Sequence, residues 1–223
     1  MRDEYTAAPA PTHRLIPSRF PPIGLFDTVA TAADLEAVME LAGWTNDRLV
    51  TERIQRLPRD EWVYGRPNAS IVMAAFLHVA PGGMRFNTAD LGALYAAATL
   101  PTSVAEVAHH LRREAVARGL AVSQRTYRQY TALLEGSYLD LRGQQADRAD
   151  VYDPLSYAAS QPLGEAVRAS GKAGILYDSL RHAGGLNVVA HRPRNVIDIT
   201  QTGHFEIRVQ AAVNRIEVRT LAA

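Results

Sequence analysis

The sequence predicts an α+β protein in which helices flank a mixed or largely antiparallel sheet. One long amphipathic helix is predicted to open near Pro101 and to end at Gly119, because apolar residues recur between them at helical spacing. The last forty residues alternate between apolar and polar side chains, which is typical of strands with one buried face. Since helices and strands are interspersed and hairpin signals dominate late, the sheet is expected to be mixed.

Length and composition exclude several classes of protein. The chain has 223 residues, which suits one large domain or one domain with a helical subdomain. Its 24 basic and 23 acidic residues nearly balance, which argues against a nucleic-acid binder that relies on a broad cationic field. Cysteine is absent, so disulfides and thiolate metal sites are excluded. With no signal peptide and no long apolar segment, we expect a cytoplasmic protein without membrane contact.

The first sixty residues are predicted to carry a tail, a strand and a helical insertion. Residues 1–12 are charged and then Ala/Pro-rich, so a flexible tail is expected there, followed by a single domain over residues 13–223. A short strand is predicted over 14–17. Amphipathic spacing predicts a helix over 32–43 and a second helical segment from about 46 to 54. Together these form a predicted helical insertion at about residues 30–60.

The remaining elements follow from apolar runs and turn residues. Apolar runs predict strands over residues 71–79, 93–98 and 174–177. Two more strands, 127–134 and 138–141, are predicted to flank the turn Glu135-Gly136. A short helix is predicted to start at Ser160-Gln161-Pro162 and to end at Gly171.

Three polar residues lie on three consecutive predicted elements: Arg85, Tyr95 and Glu106. The segment from Ser103 to Glu106 fits a capping box, which would place Glu106 in the first turn of its helix. The positive end of the helix dipole would then keep the carboxylate ionised. An ionised carboxylate also stabilises a cationic sugar transition state, so structural and catalytic roles are compatible.

Each of the other candidates has a structural alternative. Arg85 comes shortly after two glycines. It could bind a phosphate through two N–H donors of its guanidinium group, or it could be an ordinary surface arginine. Arg14 could do the same, or could be a strand-edge arginine. Tyr95 could be a core aromatic with a satisfied hydroxyl, or a platform for a nucleobase or nicotinamide.

Several other polar residues are explained most simply by local structure. Ser160 is predicted to be a helix N-cap, Ser179 to end a strand, and Asn187 to lie in a turn. The seven histidines show no metal-binding spacing, and no P-loop, dinucleotide fingerprint or nucleophile elbow is present. These exclusions leave an Arg/Tyr/Glu constellation without a metal.

The order of several short motifs resembles the RES-domain family, over roughly residues 13–210. The motifs that carry this resemblance are His13-Arg14-Leu15-Ile16-Pro17-Ser18-Arg19-Phe20-Pro21-Pro22-Ile23, Thr45-Asn46-Asp47-Arg48-Leu49, Gly83-Met84-Arg85-Phe86-Asn87, Leu94-Tyr95, Ala105-Glu106-Val107, Ser160-Gln161-Pro162-Leu163-Gly164 and Gly174-Ile175-Leu176-Tyr177-Asp178-Ser179.

The resemblance implies a compact fold similar to ADP-ribosyltransferases and the function of a toxin in a toxin–antitoxin pair. Such a toxin degrades NAD at the nicotinamide–ribose bond, with water or phosphate as acceptor, or transfers ADP-ribose to a protein. NAD would be a substrate, and no prosthetic group is implied. The implied partner is a neighbouring Xre-like antitoxin, and a homodimer is also implied.

The family's site residues are carried over by position. The resemblance implies that Glu106, Arg14 and Tyr95 are catalytic and that Arg85, Arg14 and Tyr95 bind NAD. Arg66 has nearly the expected spacing to Arg85 and is a rival to Arg14.

The serine of the family motif has no direct counterpart, because Ala158 occupies its expected position. Ser160 and Ser179 are candidate binding residues in its place, and Ser156 is a third. This departure leaves open a catalytically inactive relative that acts as a binding protein.

Overall fold

Nine strands form one mixed sheet in the computed structural model, which describes residues 4–20, 24–37 and 48–222. The strands, in chain order, are β1 (Tyr5–Thr6), β2 (Thr12–Pro17), β3 (Leu94–Ala97), β4 (Val122–Leu134), β5 (Tyr138–Asp140), β6 (Gly174–Asp178), β7 (Leu186–Ala190), β8 (Val196–Gln210) and β9 (Ile216–Thr220). Their order across the sheet is β1-β5-β6-β7-β3-β2-β4-β8-β9, and only β5 and β6 pair in parallel. The predicted α+β class is therefore confirmed.

Helices flank this sheet, and two of them fall in the predicted N-terminal insertion. Helix α1 is described over residues 32–37, and the others are α2 (Arg48–Arg56), α3 (Ala69–Leu77), α4 (Leu100–Ala117) and α5 (Ser160–Ala169). Part of each predicted helix lies outside the described residues, namely residues 38–43 of the first and 46–47 of the second. No helix in the described ranges has both the length and the apolar character needed to cross a membrane.

The prediction of a flexible tail over residues 1–12 is wrong, because this segment contains strand β1 and the first residue of β2. Tyr5 and Thr6 pair with Leu139 and Tyr138, so this segment adds an edge strand to the sheet. Thr12 is fully buried and starts β2, where its hydroxyl donates to the carbonyl of Ala132. Ladder hydrogen bonds therefore order a segment whose composition alone is typical of a tail.

The strand predicted over 71–79 is also wrong, because residues 69–77 form helix α3. Most of this helix is buried, including Val72, Met73 and Phe76, which are fully inaccessible. A helix buried on nearly all sides has no polar face, so its sequence lacks the 3.6-residue periodicity that distinguishes helices from buried strands.

The strands on either side of Glu135-Gly136 exist but do not pair with each other. Strand β4 lies between β2 and β8, whereas β5 lies between β1 and β6. The turn therefore moves the chain to the other part of the sheet instead of closing a hairpin. Local turn residues could not show this, because the partners of both strands are distant in sequence.

Helix α4 packs across the strands that carry the site. Ala108 and Leu111 are buried against Leu15 of β2, Tyr127 of β4 and Ile207 of β8. Gly119, with φ +65°, follows the helix at its C-terminal end as predicted. This packing fixes the second turn of α4 over the neighbouring strands β2, β3 and β7.

Candidate active site

A cavity of about 200 Å³ opens between α4 and the strands β2, β3, β6 and β7. It is lined mainly by cationic and aromatic side chains around a single carboxylate. Its polar and aromatic lining residues are Arg14, Arg85, Tyr95, Ser103, Glu106, His109, His110, Arg113, Tyr157, Tyr177, Arg181 and Asn187. The structure thus brings together Arg14, Arg85, Tyr95 and Glu106, which the sequence predicted from four separate elements.

The carboxylate of Glu106 is held by two hydrogen bonds to one of its oxygens. Ser179 Oγ donates to Oε1 at 2.7 Å, and Asn187 Nδ2 donates to the same atom, also at 2.7 Å. Oε2 has no hydrogen-bond partner among the described residues. One oxygen is therefore fixed by the protein while the other is available to a ligand in the cavity.

The predicted capping box around Glu106 is wrong. The N-cap of α4 is Thr99, whose hydroxyl accepts from the backbone N–H of Thr102 at 3.3 Å. Leu100 and Pro101 then form the first turn, so Glu106 lies in the second turn. Because the dipole effect falls off within the first turn, the role predicted for the helix dipole at Glu106 is not supported. Hydrogen bonds from Ser179 and Asn187 hold the carboxylate in place instead.

Ser179 and Asn187 come from the two strands that face this part of α4. Ser179 directly follows β6, and its oxygen also accepts from the backbone N–H groups of Arg181 and His182. Asn187 lies within β7, paired with Tyr177 and Ala97, and is buried. The prediction of a turn at Asn187 is therefore wrong, and sequence reasoning missed its contact with Glu106. The signal in the sequence was a polar amide side chain, that of Asn187, within the otherwise apolar segment Leu186–Ala190.

Tyr95 makes two hydrogen bonds to the loop that follows Gly83. Its hydroxyl donates to Asn87 Oδ1 at 2.8 Å and accepts from the backbone N–H of Phe86 at 2.9 Å. Burial raises the pKa of the Tyr95 phenol, so it stays protonated. Because the hydroxyl is engaged on both sides, the ring rather than the hydroxyl is what Tyr95 offers to the cavity.

The loop containing Arg85 is held against α5 by close backbone contacts. Gly83 has φ +71°, and a Cβ there would lie 2.3 Å from the carbonyl oxygen of Asn87. A Cβ on Gly164 of α5 would lie 2.0 Å from the carbonyl oxygen of Phe86. Gln161 Nε2 donates to the carbonyl of Met84 at 3.0 Å. Glycine is thus required at both positions for the loop to pack where it does.

Arg85 connects this loop to the segment before α5. Its Nη1 donates to the carbonyls of Val151 at 2.9 Å and Asp153 at 3.0 Å. Its guanidinium lies over the ring of Tyr157, 5.1 Å from the ring centroid. The guanidinium keeps Nε and Nη2 free of hydrogen bonds to the described residues, so it can still receive an anion.

Arg14 reaches the cavity from β2, next to β3. Its Nη1 donates to the carbonyl of Tyr95 at 2.7 Å, whereas its buried Nε has no partner within residues 4–20, 24–37 and 48–222. Burial lowers the pKa of Arg14 to about 10, which still leaves the side chain charged at neutral pH. Because Arg14 also lines the cavity, its positive charge is close to any ligand bound there.

The other predicted candidates lie elsewhere. Ser160 is buried at the start of α5 and is not an N-cap, since Ala159 holds that position; its hydroxyl reaches only the carbonyl of Tyr157, at 3.5 Å. Ser156 accepts from the backbone N–H of Ala158. Arg66 donates to backbone carbonyls at the start of β8. None of these three lines the cavity, whereas Ser179 contacts Glu106 directly.

Two arginines and two histidines at the cavity were not singled out by the sequence. The guanidinium groups of Arg113 and Arg181 have no hydrogen-bond or ion-pair partner among the described residues. Burial, together with the charge of Arg181, lowers the pKa of His109 to about 4, and burial also lowers that of His110. Both imidazoles are therefore neutral at neutral pH. Cations outnumber the one carboxylate, which makes the cavity suited to an anionic ligand.

No group of His, Asp and Glu side chains in the described ranges is arranged to hold a metal ion. The chemistry available from these residues is thus a fixed carboxylate, several guanidinium groups and aromatic ring faces. This combination can bind a phosphate-containing ligand and stabilise positive charge that develops beside Glu106.

Of three comparisons with known proteins, the match to a family model bears on the resemblance that the motifs predicted. A search of curated proteins found no match. A similar solved structure is the crystal structure of the M. tuberculosis MbcT–MbcA toxin–antitoxin complex, with 19% identity and a TM-score of 0.42, covering 59% of this chain and 74% of that chain. The model of the RES domain matches residues 53–210, so Arg14 and the predicted motifs before residue 53 lie outside the match. Because this match spans more than half of the sequence, the chain belongs to the RES-domain family.

Proposed function

We propose that this protein cleaves NAD at the bond between nicotinamide and ribose and serves as the toxin of a toxin–antitoxin pair. The observation that carries the proposal is the carboxylate of Glu106, whose Oε1 is fixed by Ser179 and Asn187 while Oε2 is open to the cavity. A fixed carboxylate is the group that stabilises an oxocarbenium-like sugar. The ADP-ribosyltransferase-like fold implied by RES membership supports the same chemistry.

The arginines supply recognition of the pyrophosphate. Arg85 has two nitrogens without partners in the described part of the chain, and Arg14 lines the same cavity. We assign the pyrophosphate to these two guanidinium groups, because charge-assisted, paired hydrogen bonds are the strongest contacts a phosphate can receive.

The aromatic ring of Tyr95 is assigned to the nicotinamide end. Its hydroxyl is already bonded to Asn87 and Phe86, so it neither donates to the ligand nor acts as an acid. The ring face lines the same cavity as Glu106 and can stack on a planar heterocycle. Tyr95 thus positions the leaving group relative to the carboxylate.

The reaction requires little acid catalysis. When the ribose C1′–N bond breaks, its electron pair returns to the pyridinium nitrogen, so nicotinamide leaves as a neutral molecule. Positive charge develops on the ribose, and Glu106 stabilises it through its negative charge and a hydrogen bond from a ribose hydroxyl to Oε2. An oxygen nucleophile then bonds to C1′ and releases its proton to solvent.

The acceptor is tested by product analysis. The purified protein is incubated with NAD, with and without inorganic phosphate, and the products are identified by mass spectrometry. Free ADP-ribose indicates water as acceptor, ADP-ribose phosphate indicates phosphate, and a mass increase on protein indicates protein ADP-ribosylation. Absence of nicotinamide release would leave a catalytically inactive binding protein and overturn the proposal.

The implied partner is an Xre-like antitoxin, and the site of action is the cytoplasm, where NAD is available. The solved structure with a toxin–antitoxin title belongs to another protein. For this chain, the test is expression in bacteria with and without the protein encoded next to it. The proposal predicts growth arrest and a fall in cellular NAD for the chain alone, and rescue by the neighbour.

A further inference from the structure

His110 lines the cavity without a hydrogen bond or ion pair to any residue in the described part of the chain. Its ring meets the ring of His109 edge-on, with 5.5 Å between the ring centroids. The residue is exposed, so solvent reaches it at the mouth of the cavity. Both of its ring nitrogens are therefore able to contact a ligand or a water molecule.

The position of His110 on α4 brings its ring next to Glu106. Residues four apart on a helix are neighbours on one face, with about 5–6 Å between their Cβ atoms. Helical side chains also lean toward the N-terminus, so His110 lies over the turn that contains Glu106. The carboxylate of Glu106 favours a proton on His110, whereas the arginines near His109 disfavour a proton there.

His110 is neutral at neutral pH and can accept a proton. The surrounding cavity desolvates the imidazole and lowers its pKa below the ordinary value of 6.5, even though part of the residue is open to solvent. The charged groups that face it are Glu106 and Arg113 on α4 and Arg181 in the segment after β6. The two arginines oppose protonation and the one carboxylate favours it.

We propose that His110 takes the proton of a water molecule that attacks the ribose C1′, a step that rests on the proposed cleavage of NAD. The C1′–N bond breaks, and its electron pair leaves with neutral nicotinamide. The water oxygen then bonds to C1′ while one of its O–H bonds breaks, and that proton bonds to a ring nitrogen of His110. Glu106 stabilises the imidazolium, which passes its proton to the solvent at the mouth of the cavity.

Other groups in the cavity are less suited to this step. A proton on Glu106 would remove the negative charge that stabilises the ribose cation. Burial raises the pKa of both Tyr95 and Tyr177, so both phenols stay protonated. Burial lowers the pKa of His109 to about 4, which makes its imidazole a weaker base. His110 is therefore the best-placed base among the described residues.

The cavity also gives the leaving group and the water separate places. Tyr95, which is assigned to nicotinamide, comes from β3, whereas His110 comes from α4 on the facing wall. The two groups can therefore act on different sides of the ribose. Glycosidases that use a carboxylate as general base likewise hold the attacking water across the sugar from the leaving group.

Azide distinguishes a base from a structural residue, because it attacks as an anion and has no proton to lose. In phosphate-free buffer, His110→Ala should lower kcat for nicotinamide release about a hundredfold with little change in KM, the lower end of the usual contribution of proton transfer. Sodium azide should then raise the rate of His110→Ala about tenfold or more and give ADP-ribosyl azide, identified by mass spectrometry. His110→Gln, which stays polar but lacks a basic nitrogen, should behave in the same way.

Three variants serve as comparisons. His204→Ala is the matched control, because His204 lies on β8, contacts Ser18 and does not line the cavity, so it should cleave NAD at the wild-type rate with or without azide. Glu106→Gln should stay slow in azide, because its defect lies in breaking the C1′–N bond. Azide rescue of His109→Ala in place of His110→Ala would move the base to His109 and overturn the proposal.

The remaining outcomes separate this proposal from NAD cleavage itself. Wild-type rates in His110→Ala, or a loss that azide does not restore, would overturn the role of His110 while cleavage stands. Nicotinamide release by the wild type that requires phosphate would do the same, since water would then not be the acceptor. Absence of release in every buffer would overturn cleavage and this step together. Thermal unfolding of the His110 variants should match the wild type, because the side chain makes no hydrogen bond within the described residues.

Discussion

Removal of the Ser179 hydroxyl tests how Glu106 is positioned. Ser179→Ala deletes one of the two donors to Oε1, a hydrogen bond of 2.7 Å. Hydrogen bonds to charged groups contribute about 1.5–3 kcal/mol. If this contribution is expressed fully in the transition state, kcat/KM for nicotinamide release should fall about ten- to a hundredfold. Because Ser179 does not line the cavity, the affinity for NAD should change much less.

Ser160→Ala and Ser156→Ala are the matched controls. In the described part of the chain their hydroxyls contact only backbone groups, and neither serine lines the cavity, so both variants should cleave NAD at close to the wild-type rate. The assay follows nicotinamide release, with thermal unfolding of each variant measured in parallel, since Ser179 also accepts from two backbone N–H groups. Full activity in Ser179→Ala, or an equal loss in Ser160→Ala, would refute this account of the serine.

Three further substitutions test other contacts. Asn187→Ala removes the second donor to Glu106, so it should also lower kcat/KM about tenfold or more in the nicotinamide assay. Gly164→Ala places a Cβ against the carbonyl of Phe86 and should lower the free energy of unfolding, measured with urea, by about 1–3 kcal/mol. Burial holds the pKa of His191 well below its ordinary value of 6.5, so the folded state binds fewer protons than the unfolded state. Stability should therefore fall as pH drops below 6.5, by up to about 1.4 kcal/mol per pH unit, and His191→Leu should reduce this slope in urea titrations.

Each of these has a distinct contrary result. Wild-type kinetics in Asn187→Ala would show that one donor is sufficient for Glu106. An unchanged urea midpoint in Gly164→Ala would mean that the 84–88 loop moves at no cost. Identical pH slopes for wild type and His191→Leu would assign acid sensitivity to other groups.

Local sequence patterns predicted the elements whose signals are local. Helix α4 was predicted from its apolar stripe and Gly119, and β3 from its short apolar run between turn residues. Helix α3 was mistaken for a strand, since burial on nearly all sides removes the polar face that reveals a helix. The strands on either side of Glu135-Gly136 were also predicted, but their partners in the sheet were not, because strand partners depend on distant residues.

The site was predictable only in part, because some of its contacts join residues that are distant in the sequence. Residues within motifs, such as Arg85 and Glu106, were singled out, and the structure places both at the cavity. The predicted effect of the helix dipole on Glu106 was wrong, because Glu106 lies in the second turn of α4 and the N-cap is Thr99. Its donors, Ser179 and Asn187, are more than seventy residues away in sequence and converge only through the sheet.

The most direct test of the central claim compares the wild type with Glu106→Gln. The substitution keeps the shape of the side chain and removes its negative charge. Purified wild-type protein is expected to release nicotinamide from NAD, and Glu106→Gln is expected to bind NAD but to release nicotinamide at least about a hundredfold more slowly. Equal rates for the two proteins, or no release by the wild type, would contradict the assignment of Glu106 to NAD cleavage.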